Sequence, residues 1–291
     1  MSYENSRTPP SADGRSCARL VLECCVRRAL WGSERWETSV HPAGQSLVSD
    51  GPFAGHALGD VFPDFPLLLK TIASDAALSV QVHPNEVTCR VTGGEPKSEM
   101  WCALADSVVY AGLRPGVGPA ELAEAIRTGD IGELLVRHCL GPGDVISIPG
   151  GLVHAIDGGS LLYEVQQSSD TTFRLYDWGR VDADGRPREL HVGKALEAID
   201  YSLPAPVPCR SLETPFFAFR QERLAGELHV GGDGRFTAIR SAAGAFSLDG
   251  EDFPEGSSVL LPPSVSGTLR AAGAWLLVTD FGAAPNAATT P

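Results

Sequence analysis

Glycine and proline interrupt this chain so often that few long helices fit between them: 32 glycines and 22 prolines are spread over 291 residues. Proline lacks a backbone donor and glycine weakens regular elements from within, so the elements must be short and joined by turns. The runs between them are β-branched and aromatic, as at residues 78–82, 145–148 and 161–165, and such runs bounded by turn residues predict strands. The chain is therefore mostly β. Two stretches break the pattern. Residues 119–140 carry apolar positions at helical spacing after a proline start, which predicts two helices, and residues 192–199 predict another.

The proline-rich segment 203–208 reads as an extended connector. It divides the chain into a first domain at 16–202, with a helical insertion at about 115–140, and a second β domain at 209–282. Residues 1–15 and 283–291 are rich in small and polar residues and are expected to be disordered. An echo crosses the connector: Gly143, the strand 145–148 and Pro149 overlay Gly256, 258–261 and Pro262 at a constant offset, the mark of a repeated turn–strand unit of a β-sandwich or jelly roll.

Charge and composition narrow the function. With 23 Lys and Arg against 36 Asp and Glu, the formal net charge is −13, which disfavours binding to a polyanion such as nucleic acid. No apolar run approaches the roughly 20 residues a membrane helix needs. The polar start, with Pro9-Pro10, lacks a signal-peptide core, and seven cysteines without a C-x-x-C pair suit reduced thiols, so a cytoplasmic location is expected.

Alternation along strands then gathers chemistry. Gln81 and His83 share one face while Val82 takes the other, and Lys97 and Glu99 repeat that spacing. His154 follows the turn Pro149-Gly150-Gly151, and Glu164 and Gln166 lie on the next strand. Gln81, His83, Glu99 and His154 together offer two imidazoles, a carboxylate and an amide oxygen, a set that suits zinc and also admits manganese, cobalt or iron. Taken singly, each has a plainer reading: a hydrogen-bonded histidine, or Glu99 paired with Lys97. Arg174 is read either as a clamp for a phosphate or oxyanion, or as a surface partner of Asp170 or Asp177. No phosphate-cradling or dinucleotide glycine motif is evident.

At Trp36-Glu37-Thr38-Ser39-Val40-His41, residues 67–70, residues 78–85, Lys97-Ser98-Glu99-Met100-Trp101, residues 143–155 and residues 162–180 the sequence resembles the type I phosphomannose isomerases of the cupin superfamily, in their short bacterial form. The resemblance spans roughly residues 30–200. It implies a cupin metal domain with a small helical insertion and a degenerate second β domain. It also implies one Zn²⁺ per chain on Gln81, His83, Glu99 and His154, with Lys97, Glu164 and Arg174 lining a sugar-phosphate pocket. The implied reaction interconverts mannose 6-phosphate and fructose 6-phosphate, with Glu164 or Lys97 moving the proton. Other cupin isomerases, epimerases and oxygenases, or a non-catalytic sugar-binding cupin, are the rival readings. Residues 31–36 are shorter than in relatives, which bears on the pocket rim. The second repeat carries Gly267 and Leu277 where the first has His154 and Glu164, so it is expected to be metal-free.

Overall fold

The computed structural model describes residues 18–282, and the two termini expected to be disordered lie outside the described residues. The described chain divides into two compact units, one holding residues 25–37 and 67–214, the other residues 18–24, 38–66 and 215–282. This differs from the linear division at 16–202 and 209–282. The reason is backbone pairing: strand Leu20–Glu23 pairs with Ser258–Leu261, in the register Leu20↔Leu260 and Val21↔Val259, and with Leu47–Val48. The early segments therefore complete the later sheet.

The unit at 25–37 and 67–214 is a sandwich of two antiparallel sheets. The first runs in the order Val145–Ile148, Glu99–Ala103, Leu161–Gln167, Leu67–Ser74, Gly32–Thr38, Cys25–Ala29. The second runs Phe173–Tyr176, Val80–Val82, His154–Ile156, Ser107–Leu113, Leu135–Leu140. Between them Ile72, Trp101, Ile146, Ile148 and Leu162 from the first sheet meet Val109, Ala111, Leu140 and Ile156 from the second. Burying each large side chain here contributes about 1.5–3 kcal/mol.

The second sheet is apolar on its outer face as well. Val80, Val82, Val153, Phe173 and Leu175 lie there in one cluster with Leu122, Ile131, Ala195 and Ala198, which the helical segments supply. Strand Val80–Val82 is thus apolar on its even residues because helices cover them, which leaves the odd ones to face inward.

Helix Pro119–Thr128 starts at a proline and ends at Gly129, whose left-handed backbone, at φ 88°, sends its N–H to Ala125 O. The expectation of two helices through residue 140 is corrected in its second half. After a 3₁₀ turn at Ile131–Leu134 the chain forms strand Leu135–Leu140, paired with Ser107–Leu113. Its buried ends and alternating exposure follow a strand period rather than a helical one. Helix Val192–Ala198 forms as expected.

In the other unit the sheet runs Ala218–Gly231, Ser266–Phe281, Phe236–Ala243, Ser258–Leu261, Leu20–Glu23, Leu47–Val48, with hairpin Phe246–Leu248/Glu251–Phe253 on Ser266–Phe281. Phe62 and Phe65 pack edge-on against Phe236, which stacks on Phe281 at 5.4 Å. The echo of turns recurs here: Gly143 and Gly256, at φ 85° and 86°, each introduce the matching strand. No helix among the described residues is long and apolar enough to cross a membrane.

Candidate metal centre and adjoining cavity

Strand register builds the site. In the second sheet Gln81 is level with His154 on one neighbouring strand and with Arg174 on the other, so the three side chains form a row. In the first sheet Glu164 is level with Lys70 on one side and Trp101 on the other, and Gln166 is level with Glu99. Paired residues in antiparallel strands point to the same face, and in these rows that face is the interior of the sandwich.

His83, Glu99 and His154 converge, with one ligand-type atom from each lying within 4.8 Å of the others. His83 Nε2 is 3.4 Å from Glu99 Oε2, and His154 Nε2 is 3.7 Å from Glu99 Oε1. Backbone carbonyls fix both rings: His83 Nδ1 bonds Thr171 O and His154 Nδ1 bonds Leu152 O, each at 2.8 Å. With Nδ1 donating, both Nε2 lone pairs face Glu99, the tautomer a metal-bound imidazole requires. The Gln81 amide lies 3.3 Å from His154 Nε2, and a half-turn about its terminal bond presents oxygen in place of nitrogen. The four residues therefore fit a divalent cation with mixed N and O ligands. Among the described residues no other group of three or more His, Cys, Asp and Glu side chains converges in this way. Gly267 and Leu277 both lie on strand Ser266–Phe281.

Electrostatics agree with this arrangement. Burial alone would raise the Glu99 pKa, but the Lys97 charge outweighs it and holds the carboxyl well below the usual range. Burial and the neighbouring His83 push His154 down to about 3, and burial with the Lys97 charge lowers His83. All three are in the protonation state a cation needs at neutral pH. Lys97 is in the same cluster, its Nζ 2.6 Å from Glu99 Oε2 and 3.0 Å from His83 Nε2. The plainer pairing of Glu99 with Lys97 is thus present as part of the cluster.

A cavity of about 160 Å³ adjoins the cluster, lined by Glu34, Lys70, Gln81, Lys97, Glu164 and Arg174 among others. Glu164 is central to its chemistry. Trp101 Nε1 donates to one carboxylate oxygen at 2.8 Å, and Lys70 Nζ is 3.0 Å and Lys97 Nζ 3.9 Å from the other. Burial raises the Glu164 pKa and the Glu99 charge adds to it, against the pull of Lys70 and Lys97. Lys70 is held in turn by Glu34 at 3.0 Å, and Glu34 accepts from Trp36 Nε1. Arg174 faces the cavity with its Nε buried and without a hydrogen-bond partner, while Nη1 donates to Glu189 O. It is not the partner of Asp177, which Arg180 and Arg188 occupy.

Sequence reading gave no roles to Lys70, Glu34 and Arg188. Lys70 left a signal, a lysine inside an otherwise apolar strand, Leu67–Ser74. Gln166, on the same strand as Glu164, spends its amide N–H groups on Gln167 O and Ser169 O.

No protein-family model matches the chain. Mannose-6-phosphate isomerase ManA of Bacillus subtilis is 38% identical over 185 residues, and that match spans 57% of this chain and 58% of the relative. Probable mannose-6-phosphate isomerase GmuF of the same organism is 35% identical, spanning 62% of this chain and 68% of the relative. The mannose-6-phosphate isomerase of Streptococcus mutans is 28% identical, spanning 84% and 93%. Among solved structures, that of the Bacillus subtilis mannose 6-phosphate isomerase superposes with a TM-score of 0.82 at 25% identity, covering 90% of this chain and 99% of that one. Facing sheets, a buried His–Glu–His cluster and these likenesses define an isomerase of the cupin class. The chain belongs to the mannose-6-phosphate isomerase family.

Proposed function

We propose that the protein interconverts mannose 6-phosphate and fructose 6-phosphate through an enediol, using one zinc ion per chain on Gln81, His83, Glu99 and His154. The observation that carries this reading is Glu164, a carboxylate of raised pKa beside both the cation cluster and the cavity. Bound zinc supplies Lewis acidity at the sugar's carbonyl and hydroxyl oxygens. The remaining work belongs to side chains. Glu164 takes the proton from C2 of the aldose and returns it to C1, its free lone pairs aimed by Trp101 and Lys70. Lys97, within 3.9 Å of Glu164, orients the sugar oxygens and neutralises charge that develops on them. Arg174 anchors the phosphate, since its guanidinium is permanently charged and keeps a buried donor without a partner. Among the described residues all six cysteines are free thiols, which supports the cytoplasm as the place of action.

The test is an isomerase assay of the purified protein on mannose 6-phosphate and on free mannose, with metal content measured on the same sample. Fructose 6-phosphate formation that tracks zinc content is expected. A zinc-loaded sample that forms no ketose from either sugar overturns the reading.

A further inference from the structure

The rim of the cavity holds more positive charge than a single anchor supplies. Arg174 and Arg188 both line it. Asp177 lies beside them, 6% exposed, and binds Arg188 along one edge of the guanidinium, Nε to Oδ2 at 2.7 Å and Nη2 to Oδ1. Arg180 Nη2 reaches the same Oδ1 at 2.7 Å. Burial pushes the Asp177 pKa up, but the hydrogen bonds from Arg188 and Arg180 outweigh it, so the carboxylate stays ionised. Two guanidinium groups thus meet one carboxylate, with the Arg174 guanidinium beside Arg188 on the cavity wall, a local excess of positive charge on a chain whose formal charge is −13.

The backbone holds Asp177 in place. Trp178 and Gly179 both adopt left-handed conformations, at φ 58° and 64°, and Arg180 N–H closes the turn on Asp177 O at 3.0 Å. A tryptophan seldom accepts that conformation, and it persists only where its surroundings over-determine it. Here the indole N–H donates to Leu78 O at 2.7 Å, and the ring meets Tyr176 edge-on at 5.4 Å. Leu78 leads directly into the strand that carries Gln81.

Resting on the isomerase reading above, we infer that Asp177 is a positioning residue for the substrate's phosphate. By occupying Nε and one N–H of Nη2 it turns the other edge of Arg188 toward the cavity beside Arg174, and it holds a side chain that is otherwise long enough to relax into water. It thereby sets the preference for the phosphorylated over the free sugar. A bidentate edge matches phosphate oxygens geometrically, and a fixed edge loses less conformational freedom on binding than a mobile one. Asp177 touches no reacting atom and acts only through Arg188 and Arg180.

The measurement is kcat and KM of Asp177→Asn, zinc-loaded, on mannose 6-phosphate and on free mannose, alongside binding of inorganic phosphate by calorimetry. KM for the phosphorylated sugar rises about tenfold or more with kcat within about twofold, free-mannose turnover stays at the wild-type level, and phosphate binding weakens in parallel. Equal losses on both sugars, or an unchanged KM, overturn the inference. Arg188→Met leaves Asp177 paired with Arg180 and guards against a folding defect. It gives the same KM shift, and an unchanged KM there overturns the inference whatever Asp177→Asn does. Phosphate binding separates the two readings: a wild-type protein that isomerises neither sugar refutes the isomerase, while equal phosphate affinity in wild type and both variants refutes the role of Asp177.

Discussion

The indole N–H of Trp101 donates to Glu164 Oε2 at 2.8 Å, across two strands on which these residues are directly opposite. With Lys70 at the other oxygen, the carboxylate plane is fixed before substrate arrives. Glu164→Gln keeps the size and loses the transferable charge, so turnover falls by roughly 10² to 10⁴, the usual worth of a general base, with zinc content unchanged. Solvent-tritium exchange into the product reads the proton step directly. Undiminished exchange in Glu164→Gln together with abolished exchange in Lys97→Met would move the base to Lys97.

Protein purified without added metal carries about one equivalent of transition metal per chain, zinc foremost, by elemental analysis. His83→Ala lowers this several-fold while the fold, read by circular dichroism, persists. Less than a tenth of an equivalent in wild type, with no activation by added zinc, would remove the metal centre from consideration.

Lys70 is buried between Glu34 and Glu164, 3.0 Å from each. Burial opposes its charge, but the two carboxylates more than compensate and raise its pKa. Lys70→Met leaves two buried carboxylates facing each other, and breaking a buried pair costs about 3–5 kcal/mol. Denaturant midpoints measure the loss, and a change below about 1 kcal/mol shows that water already screens the trio.

Acid weakens the metal-free protein through its buried imidazoles. His154 is neutral in the fold, with a pKa of about 3 against an ordinary 6.5, and His83 is lowered as well. The unfolded chain therefore takes up protons first, and stability present above pH 6.5 is lost as the pH falls from there toward 3. Glu99, whose pKa is also depressed in the fold, adds to the loss below pH 4.5. Melts of the metal-free protein across this range show the slope, and His154→Gln flattens it between pH 6.5 and 4.5. An equal slope in the variant refutes the assignment.

Gly150 has no room for a side chain: a Cβ there would lie 2.8 Å from Pro84 O and 2.9 Å from Asn85 Cα. The loop it belongs to leads into His154, and Gly151 N–H is bonded to His83 O at 2.7 Å. Gly150→Ala pushes the two ligand-bearing segments apart and costs about 1–3 kcal/mol, the usual range for overpacking. Metal retention under chelator challenge falls with it, and full retention shows that the loop yields elsewhere.

What could be read in the sequence followed from alternation. The turning of Gln81 and His83 to one face and Val82 to the other is legible in a strand pattern of period two, and so is the sharing of a face by Lys97 and Glu99. Register across strands is not written locally. The rows Arg174–Gln81–His154 and Lys70–Glu164–Trp101 depend on which strands are neighbours, so a lysine inside an apolar strand marks Lys70 as unusual without naming Glu34 and Glu164 as its partners. Leu135–Leu140 misled for a similar reason: its leucines continue a helical rhythm past Gly129, and its pairing with Ser107–Leu113 overrides that rhythm. The grouping of residues 18–24 and 38–66 with 215–282 rests on long-range pairing that no linear pattern signals.

That pairing imposes an order on biogenesis. Residues 25–37 and 67–214 supply every strand of the two-sheet sandwich, so this unit has all its parts once Thr214 has left the ribosome. Leu20–Glu23 is made earlier, yet its partner Ser258–Leu261 and the long strand Ser266–Phe281 are among the last described segments to emerge. Until Ser258–Leu261 is made, an apolar strand, Leu20-Val21-Leu22, waits with an open edge, and an open edge is a template for pairing with the wrong chain. Ribosome stalling between Thr214 and Ser258 would thus leave a nascent chain with its sandwich segments complete and a sticky leading strand, a state that depends on chaperones until Ser258–Leu261 and Ser266–Phe281 are delivered.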